Sequence, residues 1–240
     1  MKNANFLKKN LIANRGIYNN REVFENTLDS FQIAINEKFN IYLGVQSTKD
    51  GVLIVYHDKD LTRLMKLKDR IKDTTYEELT YLCSYHIPTL EEVLRLVNGR
   101  VPIIINPRSI GKNYSIAKEL VKALDQYKGK FAIVNRNASV IRWFNANRPD
   151  YIMGEILTGL HPFSETFSLR AIRNMLSHFF IVTQFKSICI ENFEARKIRA
   201  IRENNLVLGY LVDTKEKYQK YKDACDNLYI DNIKELEIIK

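Results

Sequence analysis

The sequence predicts an α/β fold, a single (β/α)8 barrel, and three observations carry that expectation. Short β-branched runs alternate with longer stretches of helical period, as repeated βα units around a parallel sheet require. The 240 residues suffice for one sizeable core but are tight for two domains. Barrels of this class commonly close at roughly 200 to 250 residues. The candidate strands are numerous enough to fill eight parallel positions.

Those strands are expected at Leu11–Ala13, Ile41–Val45, Val52–Tyr56, Val101–Ile105, Phe131–Val134, Tyr151–Met153, Ser187–Ile190, Val207–Val212 and Leu228–Ile230. Helical period falls near Thr27–Glu37, Leu90–Val97, Ser115–Tyr127, Val140–Asn147, Ser168–Ser177, Phe193–Asn204 and Lys215–Asp223. Thr89 before Leu90-Glu91-Glu92 reads as an N-cap with acid in the first turn, and Asn26-Thr27 and Asp213-Thr214 supply other polar starts. The stretch Lys59–His86 is long for a βα connection and holds one helical piece, Thr74–Leu82, so a small insertion at the barrel mouth is expected after the second strand. No internal repeat, low-complexity tract or Pro/Gly-rich linker divides the chain, and one domain over residues 1–240 is expected.

Composition excludes several classes. An apolar fraction of 45% and a charged fraction of 27% are those of ordinary soluble globular chains. The longest apolar runs, Ile103–Ile105 and Phe179–Val182, have strand length, far below the roughly 18 residues that span a bilayer. Met1–Asn10 is polar and basic without an apolar signal core, so a cytoplasmic location is expected. Cys83, Cys189 and Cys225 are odd in number and lack metal-ligand spacing, which reads as reduced thiols. The net charge of +9 comes from bases dispersed among acids, as in Asp58–Asp73 and Glu191–Glu203, without interleaved aromatics. A solvated basic surface is the expectation rather than nucleic-acid binding, with a mild attraction to anionic lipid compatible with the charge.

In a barrel of this kind the ligand-binding groups stand at the C-terminal ends of the strands. Asn14-Arg15-Gly16 follows the first strand, Tyr42 to Gly44 lie on the second, His57-Asp58 closes a hairpin-like element, and Asn106-Pro107-Arg108 follows the next strand. Arg15 and Arg108 offer planar donor forks suited to phosphate, and His57 offers a titratable imidazole. The same residues could instead be a satisfied His-Asp pair and two surface arginines. His86, His161 and His178 have no partners at ligand spacing, and no glycine-rich phosphate loop is present.

Five blocks, in order and spacing, carry a resemblance: Asn14-Arg15-Gly16; Phe24-Glu25-Asn26-Thr27-Leu28; Val45-Gln46-Ser47-Thr48-Lys49-Asp50-Gly51; His57-Asp58 with Leu61 and Arg63; and Ile87-Pro88-Thr89-Leu90-Glu91-Glu92. Weaker agreement runs on through Arg148-Pro149, Gly154, Tyr210-Leu211-Val212 and Ile230-Asp231. The sequence resembles the glycerophosphodiester phosphodiesterase family. The resemblance implies a barrel whose family cleaves glycerol-linked phosphodiesters with Mg²⁺ or Ca²⁺ and two histidines.

The departures from the family pattern fall at its reaction centre. Asn14 stands where the family has the histidine of His-Arg-Gly, and Tyr42 and Gly44 stand in place of its Glu-x-Asp metal pair. Asn106 takes the place of the third metal carboxylate, Arg108 that of a lysine, and Tyr210 that of a late tryptophan. Hard divalent ions require oxygen ligands whose negative charge offsets their dehydration, and these side chains supply none. No metal cofactor is therefore expected. His57 is the retained acid/base candidate, and Arg15, Glu25, Arg108 and Tyr210 are the expected ligand-binding residues. The resemblance then implies a catalytically degenerate relative that binds a phosphate-bearing ligand or a partner at the former active site. The alternative is an active phosphodiester hydrolase or transferase with His57 as acid/base and Arg15 and Arg108 as charge stabilisers. Arg15, Glu25 and Asp58 could instead only knit the barrel mouth together, and a third reading is a scaffold whose surface is the functional part.

Overall fold

The computed structural model describes residues 3–108, 114–158 and 181–231. The expected helix Ser168–Ser177, together with His161 and His178, lies outside the described residues. The strands are β1 (Ile12–Asn14), β2 (Asn40–Ser47), β3 (Leu53–Val55), β4 (Ile103–Pro107), β5 (Phe131–Asn135), β6 (Met153–Leu157), β7 (Phe185–Cys189), β8 (Leu206–Val212) and β9 (Asn227–Ile230). Leaving β3 aside, the others pair in parallel from β2 through β4 and onward to β9, and β1 joins both β2 and β9 to close the barrel. The short β3 runs antiparallel on β2, pairing Val45 with Val55.

Alternation along the strands sorts two buried layers. Ile104, Ala132, Val134, Phe185, Leu208 and Tyr229 fill the barrel interior. Ile41, Leu43, Val45, Ile103, Ile105 and Ile133 face outward and are covered by the helices. Gly154 admits the Phe185 ring, since a Cβ there would lie 2.2 Å from the ring's tip. The 3-10 turn Asn5–Lys8 buries Leu7 against the interior layer.

The described helices are α1 (Leu28–Asn36), α2 (Thr62–Met65), α3 (Tyr76–Leu82), α4 (Leu90–Val97), α5 (Ser115–Asp125), α6 (Ala138–Asn147), α7 (Ala195–Arg202) and α8 (Lys215–Tyr221). Helix α4 shows why these segments coil. Thr89 and Glu92 form a reciprocal capping box, Leu90, Val93, Leu94 and Val97 make one buried stripe, and Asn98 at φ 43° ends the helix in the left-handed region. The same box starts α1 with Thr27 and Ser30, and α3 with Thr75 and Glu78.

The stretch Lys59–His86 follows the antiparallel β3 rather than β2 directly, and it carries α2 as well as α3 and a 3-10 turn at Ile71–Asp73. Leu61, Ile71, Leu79 and Ile87 give it a small core shared with Ile54 and Tyr56 of the hairpin. The sixth strand is Met153–Leu157 rather than Tyr151–Met153, because Tyr151 packs its ring edge-on against Phe131 outside the strand. The three cysteines are unbridged. Among the described residues no helix is long and apolar enough to cross a membrane.

Candidate functional site

The turn after β1 aims the first side chain. Arg15 (φ 66°) and Gly16 (φ 85°) both adopt the left-handed region. Arg15 is fixed there by its N–H donating to the Tyr42 carbonyl at 2.8 Å and its carbonyl accepting from the Asn26 N–H at 2.9 Å. A Cβ on Gly16 would sit 2.4 Å from Ser30 Oγ, so α1 closes directly over the turn and only glycine fits.

Arg15 Nη1 donates to both carboxylate oxygens of Glu25, at 3.1 and 3.2 Å, and Arg63 from the insertion grips the same carboxylate at 2.9 and 2.6 Å. Arg63 Nε also donates to Asp58 at 2.7 Å. Two guanidinium groups thus face two carboxylates, and this part of the mouth is electrically balanced. Burial alone would raise the Glu25 carboxyl, but the Arg63 hydrogen bonds and the Arg15 charge hold it below the usual range. Asp58, also pushed upward by burial, is held down to about 2 by hydrogen bonds from His57 and Arg63.

His57 sits inside this network. Its Nδ1 lies 2.7 Å from Asp58 Oδ1 and its Nε2 lies 3.1 Å from Arg15 Nη2. A guanidinium can only donate, so Nε2 presents its lone pair to Arg15 and the proton resides on Nδ1, donated to Asp58. Burial, with the charges of Arg15 and Arg108 acting against the Asp58 hydrogen bond, lowers the imidazole pKa. His57 is therefore a neutral ring whose lone pair is engaged by Arg15.

Asn14 donates from Nδ2 to Asp231 at 2.6 Å, while Asn14 Oδ1 and Asp231 Oδ2 are buried with no hydrogen-bond partner among the described residues. An amide cannot exchange a proton at neutral pH, so Asn14 supplies no acid or base. Burial pushes Asp231 up to about 6 despite Arg15 and the Asn14 hydrogen bond. The folded state then holds a proton that the unfolded chain releases near 4, so this contribution to stability is complete below about pH 4 and lost as pH rises through about 6. Lowered His57 acts oppositely, adding stability as pH rises toward its unfolded value near 6.5. Urea unfolding from pH 4 to 7 should show Asp231→Asn losing the downward slope and gaining stability relative to the native chain at pH 7.

The positions at which a metal would be sought hold neutral groups bonded to one another. Asn106 Nδ2 donates to the Tyr42 hydroxyl at 2.8 Å, and Asn135 Nδ2 donates to Asn106 Oδ1 at 3.2 Å and the Pro107 carbonyl at 2.7 Å. Gly44 pairs in register with Asn106, and a Cβ on it would lie 2.8 Å from Cδ of Arg108. The arginine stem thus fills the space that a side chain at 44 would occupy. This donor set does not fit a hard divalent cation: it has no carboxylate, and a fixed positive charge lies across it. Among the described residues no cluster of three or more His, Cys, Asp or Glu side chains could hold a metal.

A cavity of about 620 Å³ opens here, its walls including Asn14, Arg15, Tyr42, His57, Arg108 and Tyr210. Gly44 touches it only through the Arg108 stem that it admits, and Glu25 stands behind Arg15. Tyr210 reaches the Leu157 carbonyl at 3.5 Å, and burial raises its phenol. Lys59 and Arg136 also line the cavity and were missed by sequence reasoning. Arg136 follows β5 as Arg108 follows β4, so the strand-end rule could have found it. Among the described residues no carboxylate lines the cavity, and none pairs with Lys59, Arg108 or Arg136.

The family model that matches the chain is the glycerophosphoryl diester phosphodiesterase family, over residues 14–238. The chain is 41% identical over 107 residues to a glycerophosphodiester phosphodiesterase of Bacillus altitudinis, covering 40% of this chain and 43% of the relative. It is 33% identical over 135 residues to a glycerophosphodiester phosphodiesterase of Caldanaerobacter subterraneus subsp. tengcongensis, covering 50% and 54%. The chain thus spans about half the length of these relatives. Among solved structures, a Thermotoga maritima glycerophosphodiester phosphodiesterase superposes with a TM-score of 0.74 at 21% identity, over 96% of this chain and 98% of that one. An Oleispira antarctica phosphodiesterase in complex with the product sn-glycerol-3-phosphate gives 0.76 at 19% identity, over 96% of each chain. At those identities the likeness to solved structures is one of fold.

Proposed function

Since the chain belongs to the glycerophosphoryl diester phosphodiesterase family, we propose that its barrel mouth binds a phosphate-bearing ligand without a metal ion and that metal-dependent hydrolysis has lapsed in it. The observation that carries this reading is the Arg108 stem 2.8 Å from where a Cβ at Gly44 would stand. A side chain at position 44 would require the Arg108 stem to move aside, so the glycine and the arginine share one space. Loss of the carboxylates while a cation stays at position 108 leaves a positive, donor-rich wall, which suits an anion and repels a cation.

The neutral groups complete the pocket. The Asn106, Asn135 and Tyr42 chain holds its amides and hydroxyl in fixed directions, and Tyr210 supplies an aromatic wall for the organic part of a ligand. The Oleispira antarctica neighbour binds sn-glycerol-3-phosphate, which makes that compound the natural first probe. Proton transfer by His57 is less well supported, because its Nε2 lone pair accepts from Arg15 and Arg15 is held in turn by Glu25. A base in that position would act only after giving up the hydrogen bond that it accepts from Arg15.

Calorimetric titration of sn-glycerol-3-phosphate into the chain in EDTA should show saturable binding that weakens as salt is raised from about 0.05 to 0.5 M, because the attraction is ionic. Glycerophosphocholine incubated with Mg²⁺ or Ca²⁺ should remain intact. Metal-dependent turnover abolished by His57→Ala, or absence of any binding, would contradict the proposal.

A further inference from the structure

If the cavity is a phosphate site, the reading on which this inference rests, its wall carries more positive charge than a single phosphodiester can balance. Arg15 and Arg63 are matched by Glu25 and Asp58, so the network around His57 contributes little net field. Lys59, Arg108 and Arg136 remain, three cations on the cavity wall that form no ion pair with a carboxylate among the described residues, although Asp60 acts on Lys59 from a longer distance. A phosphodiester carries one negative charge. It would leave most of that positive field uncompensated.

Position separates the cations. The β4–β5 register pairs Ile103 with Phe131, Ile104 with Ala132 and Ile105 with Ile133. Carried on by three residues, it places Arg108 level with Arg136 on adjacent strands, roughly 5 Å apart at the backbone. Both continue the inward alternation, Ile104-Asn106-Arg108 on one strand and Ala132-Val134-Arg136 on the other. Like charges side by side on neighbouring strands repel, and an anion between or above them relieves that repulsion. The Arg108 stem lies over Gly44, whose missing Cβ leaves room for it. Lys59 lies on the other side, where it and Arg108 line a second groove with Asp58, Asp60, Thr62 and Arg63, continuous with the main cavity through those two shared cations.

We infer that the cavity recognises a small molecule bearing two phosphate groups, one held between Arg108 and Arg136 and the other between Arg108 and Lys59. Each guanidinium offers a planar fork that binds phosphate oxygens in pairs, and Arg108, lying between the flanking cations, serves both groups. Once the first phosphate is seated, the second binds at the high effective concentration set by the short tether. The cavity volume of about 620 Å³ is in the range that encloses a small organic ligand rather than a lone ion.

The test compares inorganic phosphate with propane-1,3-diyl bisphosphate, titrated in EDTA at matched ionic strength. The bisphosphate should bind at least about tenfold tighter, as one additional charge-assisted contact predicts. Arg136→Gln should bring the ratio of the two affinities below about threefold. Lys122→Gln, which removes a charge of the same sign from the distant helix α5, should leave the ratio where it was, excluding a bulk-charge effect. A ratio near one in the native chain, or a ratio unmoved by Arg136→Gln, overturns the inference while phosphate binding stands. Failure of inorganic phosphate and glycerol phosphate to bind at all overturns the reading beneath it as well.

Discussion

Arg108→Gln should weaken sn-glycerol-3-phosphate binding about 10- to 100-fold, with no loss of folding stability, when the two are measured by calorimetry and urea unfolding. A hydrogen bond to a charged group is worth about 1.5 to 3 kcal/mol, and the exchange removes a fork of such donors together with the fixed charge. Glutamine retains most of the aliphatic stem, so the space above Gly44 stays filled and the cavity keeps its shape. Stability should hold or rise slightly, because among the described residues Arg108 has no carboxylate partner to lose and stands beside Arg136. A side chain whose removal leaves the fold intact while affinity collapses serves the ligand rather than the scaffold.

Glu25→Gln should do the reverse, lowering stability by about 3 kcal/mol in urea unfolding. The Glu25 side chain is 1% exposed and accepts from both Arg15 and Arg63. Removing its charge leaves the half-buried Arg15, 19% exposed, without its counter-ion. Arg63 is 42% exposed and recovers water, which keeps the cost at the lower end of what breaking a buried pair entails. The comparison that calibrates this effect is Glu91→Gln, whose partner Arg95 is 74% exposed and whose loss should cost no more than about 0.5 kcal/mol. Ligand affinity should fall too, since Arg15 then loses the direction that Glu25 imposes on it.

The barrel itself was legible because local and tertiary signals coincide. Leu90–Val97 appears at its expected bounds, since the Thr89 cap, the apolar stripe and the Asn98 stop all mark the same segment. The sixth strand slipped by two residues because an aromatic and a β-branched residue, Tyr151-Ile152, carry strand propensity, while pairing in the sheet begins at Met153 opposite Ile133. At the site, His57, Asn14, Arg15 and Arg108 were found as strand-end residues and do line one cavity. Three features were hidden. Arg63 reaches Glu25 only because the insertion folds over the mouth, a contact between residues 38 positions apart. Asp231 meets Asn14 only because the last strand closes the barrel against the first. The Gly44–Arg108 exchange is a steric fact, and no spacing rule relates a missing Cβ on one strand to an arginine stem from the next.

The central claim is that the site has lost its metal-binding carboxylates and that the Arg108 stem now fills the space beside Gly44. Calorimetric titration of Mg²⁺ and Ca²⁺ into the chain in phosphate-free buffer tests it most directly. No saturable heat should emerge up to about 10 mM of either ion, beyond the range of even weak protein sites. A site filling below about 1 mM and lost in Asn106→Ala would mean that neutral oxygens beside Arg108 hold a divalent ion after all, and the account would fail.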